Sequence, residues 1–248
     1  MRLRRRSCFL IAAAFAAVAR VGAQIPEKFE NLKYFPKDIP RDTLIQVMRG
    51  FSFALGVRCQ YCHAGGDGIS FEGVEFKSDE KPAKRKARYM LAMADTINGR
   101  LLAALPDRSD PPVRVACVTC HRGLSKPATL AATLSATIEK RGVDSAIAQY
   151  RRLRENTMTR GLFDFSEWSM NELARTLGER GKTAEAIAML ELNQEFYPQS
   201  PSIDMMIAEL HRQRGEKDKA IARYRAVLQK EPNNPQAKRR LTELGAQP

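Results

Sequence analysis

Two five-residue motifs constrain this chain more than any other feature: Cys59-Gln60-Tyr61-Cys62-His63 and Cys117-Val118-Thr119-Cys120-His121. The chain has five cysteines and three histidines, and these motifs use four of the former and two of the latter. C-x-x-C-H is the attachment pattern of a c-type haem. Two thiols three residues apart reach two vinyl groups within one turn of chain and form thioethers. A histidine placed directly after the second thiol lies under the iron. The expected cofactors are therefore two covalently bound haem c groups. Cys59, Cys62, Cys117 and Cys120 are the thioether cysteines, and His63 and His121 are the proximal iron ligands. A zinc site assembled from both pairs is the alternative, but zinc does not call for histidine at both follow-on positions.

The fifth cysteine, Cys8, sits in a leader-like segment. Arg2, Arg4, Arg5 and Arg6 make a basic start, Cys8 to Ala19 is an apolar run, and Val21-Gly22-Ala23 supplies small residues for cleavage. The run is shorter than the roughly 20 residues that span a bilayer, so residues 1–23 read as a cleavable signal peptide and the mature chain as periplasmic. Losing its five arginines takes the formal charge from +13 to +8. With the propionates of two haems added, the mature protein is only mildly basic. No lysine or arginine block stands clear of acidic neighbours, which argues against a nucleic-acid partner. Basic groups could instead steer acidic redox partners, and contact with a membrane would be indirect, through a complex.

Beyond the leader the pattern is all-α. Residues 24–40 carry three prolines and read as an extended arm. Residues 24–127 hold both motifs and form the expected dihaem cytochrome domain. Only Ile69 to Phe76 alternates in polarity, as a small hairpin or loop would. Residues 128–248 form the expected helical array. There Gly181, Ala186, Ile187 and Pro198 recur as Gly215, Ala220, Ile221 and Pro232, a period of 34 residues. This period and its small residues resemble the tetratricopeptide repeat. Gly142 to Tyr150 looks like a degenerate preceding unit, and Trp168 reads as packing within a repeat. Such arrays commonly dock a protein partner.

The sixth iron position needs further ligands. His211, the only other histidine, falls on an inward repeat position, where packing is the expected role. Methionine is the other common ligand and raises the reduction potential. The haem region holds Met48, Met90 and Met93. A helix capped at Asp42 or Thr43 and ending at Leu55, with Gly56 as its stop, places Leu44, Met48, Phe51 and Leu55 on one face. The chain reaches Cys59 three residues after the stop. A second helix spans about 80–104 and presents Met90 and Met93 on adjacent faces, between which spacing does not choose. Lys84, Arg85 and Lys86 on that helix read as a solvated face.

Helix, methionine, turn and C-x-x-C-H occur in this order twice. Met48-Arg-Gly-Phe-Ser-Phe-Ala-Leu-Gly-Val-Arg-Cys59, Met93-Ala-Asp-Thr-Ile-Asn98 and Cys117-Val-Thr-Cys-His-Arg-Gly123 resemble the photosynthetic reaction centre cytochrome c subunit family over roughly residues 29–127. The resemblance implies a helical fold with each haem plane parallel to its methionine-bearing helix, and a role in passing electrons. It favours Met48 and Met93 as distal ligands, with Met90 the alternative to Met93. Those subunits usually carry four haem motifs and lack the repeat tail, which points here to a non-phototrophic relative.

The function expected is electron transfer, without catalysis, by an exported dihaem cytochrome docked through its repeats. Two rivals are a dihaem peroxidase or reductase with one open iron, and a repeat-based assembly protein whose haems are structural.

Overall fold

The structure, a computed structural model, describes residues 25–156 and 161–247. The expected leader over residues 1–23 lies outside the described residues. The fold is all-α, with ten α-helices and one two-stranded ladder among the described residues. The chain divides into two compact units, the first running to Ser52 and again over Val57–Val115, the second comprising Phe53–Gly56 and everything from Ala116 onward.

In the first unit the arm up to Pro40 has no regular structure, as its prolines require. Side chains tie it down. Asn31 Nδ2 donates to the Lys77 carbonyl at 2.6 Å, and Lys33 pairs with Asp79 at 2.6 Å. Arg88 donates to the Asn31 carbonyl at 3.2 Å, and the Tyr34 hydroxyl bonds Asp95. Helix α1 (Arg41–Leu55) begins before both residues expected to cap it. Asp42 lies in its first turn instead, where a carboxylate meets the positive end of the helix dipole. Leu44 is buried, and Phe51 stacks on Phe35 at 6.4 Å between ring centroids. The expected face of α1 is therefore directed at the arm side of the unit.

A 3-10 turn (Cys59–Tyr61) follows, then β1 (Ala64–Gly65) paired antiparallel with β2 (Val74–Glu75). Of the alternating stretch 69–76, only Val74 and Glu75 enter the ladder, and Ile69 and Phe71 face solvent. The Asp67 carboxylate accepts the Ile69 and Ser70 N–H groups at 2.8 and 2.7 Å, bending the chain locally in place of a longer strand. Helix α2 (Pro82–Thr96) starts with proline, whose missing N–H costs nothing in a first turn. It continues as a π turn (Ile97–Leu101) and a 3-10 turn (Leu102–Ala104), so the single helix expected over 80–104 changes winding partway.

The second unit opens with α3 (Cys117–His121) and continues as helical hairpins: α4 (Leu130–Arg141) with α5 (Val143–Glu155), α6 (Glu167–Glu179) with α7 (Thr183–Phe196), and α8 (Pro201–Gln213) with α9 (Lys217–Lys230), closed by α10 (Pro235–Glu243). The 34-residue period has a direct physical basis. Ala186 and Ala220 are fully buried, where only a small side chain lets paired helices approach. Ser166, Ser200 and Asn234 each cap the helix that follows, accepting the N–H of the residue three positions on. Gly181 and Gly215 turn each hairpin with φ of +75° and +72°, a conformation that glycine adopts without strain. Two buried clusters run through the array, one from Leu130 to Leu210 and one from Ala208 to Leu241.

Two expectations need correction. Trp168 does not pack inside a repeat: it is 71% exposed on α6, while Met170, Leu173 and Leu177 on that helix are buried. Helical spacing puts those three on the core-facing side and leaves position 168 outside it. Lys84 and Arg85 are not merely solvated. Each donates to backbone carbonyls ahead of α2, Lys84 to Phe76 and Ser78, Arg85 to Asp79 and Glu80. His211, by contrast, is buried as expected, and its Nδ1 pairs with Glu216 at 2.5 Å.

The division after Val115 differs from the boundary expected at 127/128. The segment behind the second motif is bound to the repeats: Arg122 donates to the Gly161 carbonyl at 3.1 Å, and Leu124 packs against the larger repeat cluster.

Candidate haem-binding motifs

The first motif winds as one helical turn within the first unit. The Cys62 N–H donates to the Cys59 carbonyl at 3.1 Å and the His63 N–H donates to the same oxygen at 2.9 Å. That winding sets Cys59, Cys62 and His63 along one side of the turn. Backbone ties from neighbouring side chains fix it. Lys81 Nζ donates to the Gln60 carbonyl at 2.9 Å, Gln60 Nε2 to Ser70 at 3.0 Å and Arg58 to Gly68 at 3.2 Å.

The second motif is α3 itself. Thr119, inside the motif, accepts the Ala116 N–H at 3.0 Å and so caps the helix that carries its neighbours. Ahead of it, within the first unit, Asn98 grips Val115 from both sides. Its Nδ2 donates to the Val115 carbonyl at 2.8 Å, and its Oδ1 accepts the Val115 N–H at 2.7 Å. This clamp fixes the backbone two residues before Cys117 and comes from the π turn, a local widening often found at functional positions. Behind the motif, the Gly123 N–H donates to the Ala54 carbonyl at 2.8 Å. Gly56 adopts φ of +64°, and a Cβ there would lie 2.1 Å from the Gly123 carbonyl oxygen. Glycine at 56 is thus required by close backbone approach as well as by the helix stop it makes.

The two histidines differ. His121 Nδ1 lies 2.8 Å from the Leu124 carbonyl oxygen. A carbonyl only accepts, so Nδ1 carries the proton and Nε2 keeps its lone pair for a metal. His63 Nδ1 is buried without a hydrogen-bond partner, and its ring packs on Phe76 with centroids 5.0 Å apart. Burial first, then the charge of Lys84, lowers the His63 pKa to about 4, partly opposed by the Phe76 backbone, so its imidazole is neutral at physiological pH.

The four motif cysteines are free of disulfides. Burial raises the pKa of Cys62 and of Cys117, keeping them as thiols. Among the described residues, no group of three or more His, Cys, Asp or Glu side chains is arranged to hold a metal ion. Met48 is half-buried on α1, one turn beyond Leu44. Met90 and Met93 are 46% and 47% exposed on α2, a helix with no buried residue at all. No methionine thioether of the three is used up by a sealed core.

These residues fit haem c. Each motif offers two unpaired thiols on one side of a turn and an imidazole with an available lone pair, and Met90 and Met93 stand exposed on α2 while Met48 is half-buried on α1. Sequence reasoning gave Asn98 and Gly123 no role and read Lys84 only as part of a solvated face. Asn98 fell within the family-like stretch but without a role, and nothing in local spacing marks a lysine that reaches loop carbonyls.

A family model described as photosynthetic reaction centre cytochrome C subunit matches residues 10–179, more than half of the chain. The match extends beyond the stretch 29–127 into the first helices of the array. A relative, cytochrome c-554 of Chloroflexus aurantiacus, is 40% identical over 70 residues, which cover 28% of this chain and 14% of that protein. The chain thus spans about a seventh of the length of this curated relative.

Proposed function

Since the chain belongs to the photosynthetic reaction centre cytochrome c subunit family, we propose that it is an exported dihaem c-type cytochrome that passes electrons in the periplasm and docks a protein partner through its repeats. The family assignment supports an electron-transfer cytochrome with covalently bound haem. The observation that carries the dihaem reading is that both C-x-x-C-H motifs have free thiols and a histidine suited to iron, with His121 Nδ1 donating to the Leu124 carbonyl and so leaving Nε2 as the nitrogen free to face a metal.

When bound, each haem supplies a reversible one-electron couple. Cys59, Cys62, Cys117 and Cys120 would fix the two rings, and His63 and His121 would bind the irons. Met48 and Met93 would fill the opposite positions, with Met90 the alternative to Met93. A thioether there leaves no open coordination site, which favours a carrier over a peroxidase or reductase. The well-packed helices α4 to α10 suit partner docking, since arrays of this kind present extended surfaces and no chemistry of their own. The leader 1–23 would be removed on export.

Intact mass with a pyridine haemochromogen assay tests attachment and leader cleavage together. The expected result is a chain beginning at Gln24 with two haems. Colourless protein, or a mass of polypeptide with zinc, overturns the reading. Electron paramagnetic resonance should find both irons low-spin, whereas one high-spin iron would move the reading toward an enzyme. Met93→Leu should perturb one haem spectrum and Met90→Leu neither.

A further inference from the structure

We propose that the first haem has the higher reduction potential of the two, and that Lys84 raises it by holding positive charge beside the proximal histidine. This rests on the dihaem reading above. Lys84 comes from α2, yet its side chain is only 13% exposed. Its Nζ donates to the Phe76 and Ser78 carbonyls, both at 2.7 Å, and lies 3.4 Å from Asp79. Phe76 links this cation to the motif, because its ring packs on the His63 imidazole while its carbonyl holds the ammonium. Lys81 adds a second cation, bound to the Gln60 carbonyl inside the motif.

The charges do not cancel locally. Asp79 is the one carboxylate in the cluster, and Lys33, Lys84 and Arg88 all pair with it, at 2.6, 3.4 and 2.9 Å. Lys33 is 60% exposed and its field is screened by solvent, but Lys84 and Arg88, at 13% and 20%, still outnumber the one anion and leave a net positive field beside His63. Oxidised haem carries one more positive charge than reduced haem. A cation held nearby with little water between therefore disfavours oxidation and raises the potential. His63 Nδ1 makes no hydrogen bond of normal geometry, and the contact of its ring with the Phe76 backbone only partly offsets burial and the Lys84 charge.

The second histidine is treated in the opposite way. The Leu124 carbonyl accepts from His121 Nδ1, which makes the imidazole a stronger donor and favours ferric iron. Its neighbour Arg122 is exposed, with its guanidinium on the Gly161 carbonyl, where solvent weakens its field. Both comparisons order the potentials the same way, so an electron shared within the molecule rests on the first haem.

The test is a potentiometric titration of the full haem-loaded chain followed by absorbance. Wild type should titrate in two one-electron steps. Cys117→Ala with Cys120→Ala retains only the first haem, which should titrate at the upper midpoint. K84Q should lower that midpoint, D79N should raise it, and K84R should leave it near wild type. If Lys84 mattered only as a strut against Asp79, K84Q and D79N would break the same contact and shift the midpoint alike. Shifts of the same sign, no shift, or a first haem at the lower midpoint overturns the proposal. Fewer than two haems per wild-type chain overturns the dihaem reading instead.

Discussion

In the repeat unit, Leu134, Tyr150, Met170, Ile203 and Tyr224 have no exposed surface to speak of, and every helix from α4 to α10 contributes buried side chains. In the first unit, Leu44 and Ala64 are the buried apolar residues among those described, and α2 has none. Yet the first unit has apolar material to bury: Tyr89, Met90, Met93 and Leu101 all lie exposed along α2 and its extension. What holds it is mainly polar, the ties from arm to α2 through Asn31, Lys33 and Arg88 and the carbonyl contacts of Lys81, Lys84 and Arg85. Such contacts orient segments but stabilise little where water competes, about 0–1 kcal/mol for an exposed pair, whereas one fully buried leucine contributes about 1.5–3 kcal/mol. One unit is thus stabilised by its own apolar core, while the other leaves apolar side chains uncovered, as expected of a region that a bound porphyrin would complete.

The largest expected effect follows from that contrast. Replacing Cys59, Cys62, Cys117 and Cys120 with alanine should abolish haem attachment and unfold α1 and α2 while α6 to α10 remain folded, as in proteins whose folding is coupled to their metal group. Hydrogen exchange read by mass spectrometry resolves the two regions in one experiment. Protection of α1 and α2 equal to that of the haem-loaded chain would break the comparison.

The same contrast explains what was legible in the sequence. The array was readable because a repeat must place small residues where helices cross and turn residues where they reverse, and Ala186 with Ala220 and Gly181 with Gly215 do so at a fixed offset. The two C-x-x-C-H motifs are legible as candidate sites because attachment chemistry would fix their spacing. Helix α1 was readable through Gly56, although its start was not, since Pro40 and Arg41 open the helix without a capping side chain among the expected residues. The polar framework of the first unit was hidden. Lys84 takes its acceptors from carbonyls eight and six residues upstream, and Asn98 grips a backbone seventeen residues downstream. Loop geometry decides such contacts, and no periodicity announces them. Trp168 was misread because its membership of a repeat helix was clear while its side of that helix was not.

Within the repeat unit, substitutions should behave as in any close-packed core. Leu173→Ala, at a buried position of α6, should cost about 2–5 kcal/mol in chemical denaturation of the array. The absorbance spectrum of the first haem should be unchanged, because its ligands belong to the other unit. A smaller effect is expected at a helix cap. Ser200→Ala removes the acceptor of the Ile203 N–H and should cost about 1 kcal/mol. Its hydroxyl also bonds Glu167 at 2.6 Å, so Ser200→Thr, which keeps an oxygen there, should recover most of the loss.

The smallest effect is expected where the sequence alone suggested a large one. A tryptophan inside a repeat core would cost about 3–5 kcal/mol on truncation to alanine. Trp168 is 71% exposed, so most of its surface already meets water in the folded chain. Burial of the remainder on folding gives it little to lose, and surface substitutions of this kind usually fall within about 0.5 kcal/mol of wild type. Trp168→Ala should therefore leave the denaturation midpoint of the array almost unmoved, while Leu173→Ala, five positions along the same helix, moves it strongly. Equal losses at the two positions would mean that α6 presents a different face to the core, and with it that the array is not packed as the period of small residues requires.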